Sequence, residues 1–449
     1  VGAGEVGYNI AKRLASENKH VIVIDQNHDA CRRISDDLDV QVITGSGSSP
    51  RILLEAGIKD TDILLAVTDS DEINLVACLI TNLLSPTTKK LARIRDSDFD
   101  AYHDSFKNQI PHIDTVINPE IEVVNTIRKL MDVPGAQDIG DFVDGKVRYV
   151  GIRLGNQCPI VGMRLIDFHD KFGEDRPLIA AIVRNNEVIV PRGSHRIEPK
   201  DLVYFVCEAQ KLEKTLKLFG IKINPIQSAL IIGGGRIGTR LAKILEKDGI
   251  KLKIIEADRD RCHDLSEQMH KTVILHGDGS DQKLFIEENA GQSDVVVSVT
   301  NDDETNVLVS LLAKNLGVNN TITRIGKASY YPLLATIGIE KVVSPRLSAV
   351  SSILKDVRQG NVLSDISILG ERGEFIEAIA LETSDITNKP LRKISFPKGS
   401  ILVCIIRNGQ VMIPSGTSVV IPGDRIILFA VKQAVKKLEK MLTVKLDFF

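Results

Sequence analysis

Tryptophan is absent from this chain, and aromatic residues make up only 4% of it. That scarcity removes the stacking platforms on which single-stranded nucleic acids are held. An excess of one charge is lacking too: 57 Lys and Arg face 59 Asp and Glu, for a net charge of -2, and the two signs are interspersed. Nucleic-acid binding and a polybasic membrane anchor are thereby excluded. The longest apolar runs are six residues, such as 178–183 and 401–406, against the roughly 20 needed to span a bilayer. Six cysteines (Cys31, Cys78, Cys158, Cys207, Cys262, Cys404) form no C-x-x-C pair and mostly sit in apolar or helical runs. They read as buried, reduced thiols of a cytosolic protein rather than a disulfide framework or a metal site. No H-E-x-x-H, G-x-S-x-G or P-loop lysine occurs.

What the chain does have is glycine in a pattern, written twice. It opens on "VGAGEVG", in which Gly2, Gly4 and Gly7 make a G-x-G-x-x-G, and "IIGGGRIG" at residues 231–238 restates it with Gly4 matching Gly235 at a spacing of 231. Such glycines permit a tight turn, close backbone approach to a pyrophosphate, and close packing of helix on strand. "VIVID" ends in Asp25 and "LKIIEAD" carries Glu256, again 231 further on. "ITGSGSSP" returns as "LHGDGSDQ", "LAVTDSDEINLVA" as "VSVTNDDETNVLV", "LARIRD" with Arg93 as "TITRIGK" with Arg324, and "VINPE" as "VVSPR". Each alternates with an amphipathic helical pattern, which is the signature of a parallel sheet with helices on both faces.

The repeat continues past the nucleotide-type unit. "IVRNNEVIVPRGSHRIEPKDLVYFV" matches "IIRNGQVMIPSGTSVVIPGDRIILFA", with Arg184/Arg407, Pro191/Pro414, Gly193/Gly416, Pro199/Pro422 and Asp201/Asp424 all 223 apart. The fold class is therefore α/β, with two tandem Rossmann-like doubly wound parallel-sheet domains, each followed by a small α+β lobe. The expected modules are 1–132, 137–220, 226–358 and 363–449. "QSALII" at 227–232 is the first strand of the second copy. An equivalent strand is expected just upstream of Val1, so the sequence reads as a fragment without its first few residues.

A glycine loop that opens a helix presents backbone N–H groups and the positive helix end to phosphate. In the first copy this loop is Gly2, Ala3, Gly4, Glu5, Val6 and Gly7, and in the second Gly233, Gly234, Gly235, Arg236, Ile237 and Gly238. Asp25 and Glu256 end the second strand of each copy, where a carboxylate accepts from ribose hydroxyls and repels a 2'-phosphate, so NAD(H) or an adenine nucleotide is favoured over NADP. Thr68-Asp69 and Thr300-Asn301 end the fourth strand and are either ligand contacts or helix caps. Arg93 and Arg324, on or just after the fifth strand, reach either a phosphate or ribose or a surface salt bridge. The copies differ after the second glycine, with Glu5 in one and Arg236 in the other. An acid there opposes phosphate and an arginine complements it, so the second site is expected to hold the more highly charged phosphate, or the same ligand more tightly.

A dehydrogenase would need a catalytic acid, base or metal facing the nicotinamide. The histidines fall at positions the two copies do not share, and no catalytic or metal-ligating residue is assigned. An NAD-dependent oxidoreductase stays as the alternative, and a redox-sensing transcription factor fails for want of a basic helix-turn-helix. The order of motifs resembles the RCK/KTN regulatory domains, and the tandem arrangement resembles the cytosolic regulatory subunits of Trk-type potassium uptake systems. That resemblance covers both halves. It implies an RCK N-terminal and an RCK C-terminal domain twice over, and a non-enzymatic, cytoplasmic protein, peripheral on the inner face of the cell membrane. It further implies a homo-oligomer, a tetramer, that gates an integral-membrane potassium transporter through NAD(H) or ATP/ADP. The residues carried over to the two sites are the glycine loops with Asp25, Thr68, Asp69 and Arg93, and with Glu256, Thr300, Asn301 and Arg324.

Overall fold

Short β-branched runs buried on both sides make parallel strands, and the amphipathic runs between them make the covering helices. In the second copy this yields a six-stranded parallel sheet in the order Val273–His276, Lys251–Glu256, Ser228–Ile232, Val295–Ser298, Thr321–Arg324, Lys341–Val343. That is the doubly wound order, with the chain reversing direction beside its first strand. Val295, Val296 and Val297 are inaccessible to water, as a strand covered on both faces must be. The helix Arg236–Lys247 buries Ile237, Leu241, Ala242 and Leu245 along one stripe. The structure, a computed structural model, describes residues 1–442 apart from 17, 18, 134, 174, 175, 335, 358–361 and 369–371. The expected module boundary at 358 and the last stretch of the final module, 443–449, lie outside the described residues.

In the first copy the same order is divided between two parallel sheets, Ile22–Asp25 with Gln41–Thr44, and Ile63–Ala66 with Lys89–Arg93 and Thr115–Ile117. Val1 stands at the division. Its nitrogen donates to the Leu65 carbonyl and its carbonyl accepts from Val67 N–H, while Gly2 N–H donates to Ile24 O. Val1 thus takes the place that Ile232 occupies in the second copy, where Val299 N–H donates to Ile232 O and Gly233 N–H to Ile255 O.

The compact units do not coincide with the two halves of the repeat. One comprises Val1–Glu122 together with Pro345–Gln359. In it the helix Pro345–Val357, which follows the second parallel sheet in the chain, lays Ala349, Ile353, Leu354 and Val357 against Val6, Ile10 and Leu14 of the helix Glu5–Ser16. The other unit comprises Val123–Ser344 and Gly360–Phe449, and so holds the second parallel sheet and both small lobes. There Val123, Val124, Ile127 and Leu130 share a core with Ile231, Ile237 and Leu241 of the second sheet and its first helix.

Both lobes are five-stranded antiparallel sheets of one topology. The first runs Ala136–Phe142, Val147–Arg153, Leu202–Glu208, Leu178–Arg184, Glu187–Ile189, and the second Val362–Ile368, Gly373–Ile379, Arg425–Val431, Ser400–Arg407, Gln410–Met412. Their hairpins turn on Asn185-Asn186 and Asn408-Gly409, all at positive φ, as two-residue turns between twisted strands require. One face of each sheet packs on the other's: Tyr149 stacks on Phe375 at 5.0 Å between ring centroids, and Phe142 lies 5.7 Å from Phe375. The repeated Arg and Asp form forks around a buried carboxylate. Arg184 donates through Nε and Nη2 to the two oxygens of Asp201, each at 2.8 Å, and Arg407 does the same to Asp424 at 2.9 and 2.8 Å. Asp201 and Asp424 are 1% and 2% exposed, so the pairs are structural struts.

Two stability outcomes are expected. Asp424→Ala removes both fork bonds from Arg407 and the acceptor of Ile421 N–H, and should cost about 1–3 kcal/mol, read as a lower urea midpoint. The second concerns Asp138, which accepts from the hydroxyls of Tyr149 and Tyr204, both at 3.3 Å, and whose carboxyl burial pushes up from 3.8 to about 6. Folding then favours the protonated acid, so its contribution is present in full below about pH 4 and is lost as pH rises through about 6. Asp138→Asn should raise the thermal midpoint at pH 8, by about 1–2 kcal/mol of stability, and leave it little changed at pH 4.5.

Candidate functional site

The glycines of each loop divide their work in the same way. Gly2 and Gly233 lie at φ +102° and +100°, in the region that only glycine enters freely. A Cβ on Gly2 would also come within 2.9 Å of Thr68 N, and one on Gly233 within 3.0 Å of Thr300 N. A Cβ on Gly7 or Gly238 would overlap the carbonyl oxygen of Gly2 or Gly233, so these glycines let the helix sit against the turn. Gly4 and Gly235 are different. A Cβ there would meet nothing within 4 Å among the described residues, and neither has positive φ, so none of those residues requires glycine at either place. The open space lies where the helices Glu5–Ser16 and Arg236–Lys247 begin, on the side where unpaired N–H groups and the positive helix end face an anion. This cradle fits the pyrophosphate of a dinucleotide.

The strand-end acids hold the loops in shape. Asp25 accepts Ala3 N–H at 2.5 Å on one oxygen and Asn27 N–H at 2.8 Å on the other, and Glu256 accepts Gly234 N–H at 2.6 Å and Asp258 N–H at 2.9 Å. Each oxygen keeps a second lone pair, so a ribose hydroxyl can still be accepted. An arginine on the following helix ties down the other side of the loop. Arg33 Nη2 donates to the Ala3 carbonyl at 3.3 Å and Arg261 Nε to the Gly234 carbonyl at 2.9 Å. These two arginines escaped sequence reading because they stand at different positions along their helices, one turn apart.

Thr68 and Thr300 are not helix caps; those are Ser70, which accepts Ile73 N–H, and Asp302, which accepts Thr305 N–H. Instead each threonine is gripped by an inaccessible asparagine. Asn74 Oδ1 accepts both the N–H and the hydroxyl of Thr68, while its amide donates to the carbonyls of Thr68 and Arg93. Asn306 repeats all four bonds with Thr300 and Arg324. The two strand ends of the cleft are thus locked together by one side chain, whose only trace in the sequence was the last letter of "DSDEIN" and "NDDETN". Arg93 Nη1 sits 3.2 Å from Asp69 Oδ1 and Arg324 donates to the Thr300 carbonyl. Burial lowers the Arg93 pKa, and Arg95 adds to this, with Asp69 pulling the other way. In the first copy the structure thus joins loop, Asp25, Thr68, Asp69 and Arg93 into one cleft edge, and in the second loop, Glu256, Thr300 and Arg324. Asn301 is exposed beside them.

Glu5 does not stand as an isolated acid. Arg33 Nη1 is 3.3 Å from its Oε1 and Arg346 Nη1 3.6 Å from its Oε2. The repulsion toward phosphate expected from this acid is therefore offset by two guanidinium groups. All six cysteines are free, and burial pushes the thiols of Cys78, Cys207 and Cys404 up to about 12, which keeps them unreactive. Among the described residues no group of His, Cys, Asp and Glu is arranged to hold a metal ion, and no helix is long and apolar enough to cross a membrane.

Comparison with known proteins agrees with this duplicated design. The TrkA-N domain matches residues 1–119 and 229–345, and the TrkA-C domain residues 149–220 and 375–443. The "Trk system potassium uptake protein TrkA" of Azorhizobium caulinodans is 38% identical over 100% of this chain and 99% of its own length, and that of Halomonas elongata is 34% identical over the same shares. Among solved structures, the GsuK channel covers 97% of this chain and 77% of its own at a TM-score of 0.60 and 16% identity. The GsuK channel bound to NAD has a TM-score of 0.59 over 98% of this chain and 77% of its own, at 16% identity. Those two likenesses establish a shared fold, and the identities to the curated relatives establish descent: the chain belongs to the TrkA family, with its TrkA-N and TrkA-C domains each present twice.

Proposed function

We propose that this protein is a nucleotide-sensing regulatory subunit of a Trk-type potassium uptake system. Each cleft binds an adenine nucleotide, NAD(H) or ATP/ADP, and occupancy biases a potassium-translocating membrane subunit. The observation that carries the reading is the open space at Gly4 and Gly235, where glycine serves no need of the protein itself while its neighbours Gly2, Gly7, Gly233 and Gly238 all do. The pyrophosphate rests on the loop N–H groups, and the adenosine ribose on Asp25 or Glu256. The strand-end edges at Thr68, Asp69 and Arg93 and at Thr300, Asn301 and Arg324 border it. No residue is assigned a catalytic role; the nucleotide is a signal rather than a reactant.

The membership in a potassium-uptake family supports an integral-membrane Trk subunit as the partner, and a peripheral position on the cytoplasmic face follows from that reading. A ring of such subunits also answers an energetic requirement. A ligand shifts a conformational equilibrium only by its differential affinity for the two states. A tenfold preference at one site is worth about 1.4 kcal/mol, whereas moving a population from 1:99 to 99:1 takes roughly 5.5 kcal/mol. About four coupled sites supply it, and a homotetramer with two clefts per chain holds eight, more than the requirement.

Gly4→Val and Gly235→Val test this directly. Each should leave the thermal midpoint within about 2 °C of the parent, because the new side chain enters open space, yet weaken nucleotide binding at its own cleft by more than about tenfold, through loss of backbone approach to phosphate. Isothermal calorimetry with NADH and with ATP reads the affinity, and potassium flux through the reconstituted membrane partner reads the gating. Unchanged affinity in both variants, or steady consumption of NADH with a small-molecule substrate, overturns the reading.

A further inference from the structure

Arg346 occupies a place where a cation is unfavourable. It is the second residue of the helix Pro345–Val357, in the first turn, where the helix end already carries positive partial charge. Its side chain is 12% exposed, and its Nε is buried without a hydrogen-bond partner among the described residues. The acid that offsets it, Glu5, opens the helix Glu5–Ser16 immediately after Gly4, and the helices pack along their lengths through Val6, Ile10, Leu14, Ala349 and Ile353. Two helix N-termini and one buried guanidinium therefore converge beside the glycine loop. The Glu5 carboxylate faces Arg346 and is shared with Arg33.

The Glu5–Arg346 contact is also loose. At 3.6 Å it exceeds the 2.7–2.9 Å of a charge-assisted hydrogen bond, and Glu5 is 64% exposed. With its acid in water and the separation beyond hydrogen-bond distance, the pair is held weakly from the Glu5 side. A guanidinium with a donor unspent is suited to a non-bridging phosphate oxygen, which it takes as a fork. The repeat places the opposite charge at the equivalent helix position, Glu120 after Pro119, just as it places Arg236 opposite Glu5. Loop charge and helix charge are inverted together, so a single-charge account of the two loops is incomplete.

We propose that Arg346 is the phosphate-charge reader of the first cleft: Glu5 holds it when no nucleotide is present, and the terminal phosphate of an adenosine di- or triphosphate takes it away from Glu5. A dinucleotide, in which each phosphate has one ester and one shared anhydride oxygen and carries a single negative charge, offers a weaker competitor and leaves the pair in place. Because Arg346 belongs to the helix that carries the chain from the second parallel sheet toward the second lobe, the capture of Arg346 is felt by that segment. This assignment rests on nucleotide binding at the first glycine loop.

The test uses the full chain with the second loop closed by Gly235→Val, so that calorimetry reads the first cleft alone. In that background Arg346→Gln should weaken ATP and ADP by about tenfold relative to NADH, and Glu5→Gln, which releases Arg346, should strengthen them by about threefold to tenfold with little change for NADH. Hydrogen exchange across 345–357 should slow on adding ATP and much less on adding NADH. Glu5→Gln keeps the test decisive if Arg346→Gln fails to fold. Equal shifts for ATP and NADH, or none, overturn the role of Arg346 while leaving the binding site standing. Failure of the Gly235→Val protein to bind any nucleotide removes the first-cleft reading and this one with it.

Discussion

The bond between a strand-end carboxylate and a loop N–H sets the rest of this molecule in order. Asp25 on Ala3 and Glu256 on Gly234 hold each glycine loop against the end of the second strand, and the loop in turn decides where the following helix starts. Once the Gly2 and Gly233 carbonyls are placed, only glycine at positions 7 and 238 lets that helix lie close. The anion-binding end of the helix is then aimed at open space by geometry that would exist with no ligand bound. Under the proposed function, preorganisation of this sort would limit the cost of binding a phosphate, since little would have to be ordered.

The two clefts are built alike and charged differently. Asn74 and Asn306 make the same four hydrogen bonds, and both loops are tied by an arginine from the next helix. At the loop apex the copies part: Glu5 is drawn toward Arg33 and Arg346, while the second loop carries Arg236 in its place. A regulator that has to compare nucleotides gains from such a difference, since two equivalent sites would report the same ligand twice. In the lobes, by contrast, the repeated Arg184–Asp201 and Arg407–Asp424 forks are the same, because their task is to brace a sheet.

Helix exchange is the other organising feature. The helix Pro345–Val357 follows the second sheet in the chain but shares its apolar face with the first glycine-loop helix, and Lys89 reaches the Asp356 carbonyl at its far end. Burial of Ala349, Ile353, Leu354 and Val357 there, on the order of 1–2 kcal/mol apiece, stabilises that placement.

By itself the sequence determined whatever depends on local backbone chemistry: glycine where φ is positive or a Cβ would clash, an acid at a strand end, the alternation that makes a parallel sheet, and the duplication of all three. It also marked Arg184, Asp201, Arg407 and Asp424 as paired positions, though not that they pair with each other. Only the tertiary structure decided which side chains meet across long intervals. Arg33, Arg261, Asn74 and Asn306 carry the loops and strand ends, yet nothing in their immediate neighbours announces it. Arg346 stands 341 residues from Glu5, and the compact units cross the repeat boundary. The physical reason is range: backbone conformation is settled within a few residues, whereas partners for buried charge and apolar faces are chosen by packing, which does not follow chain order.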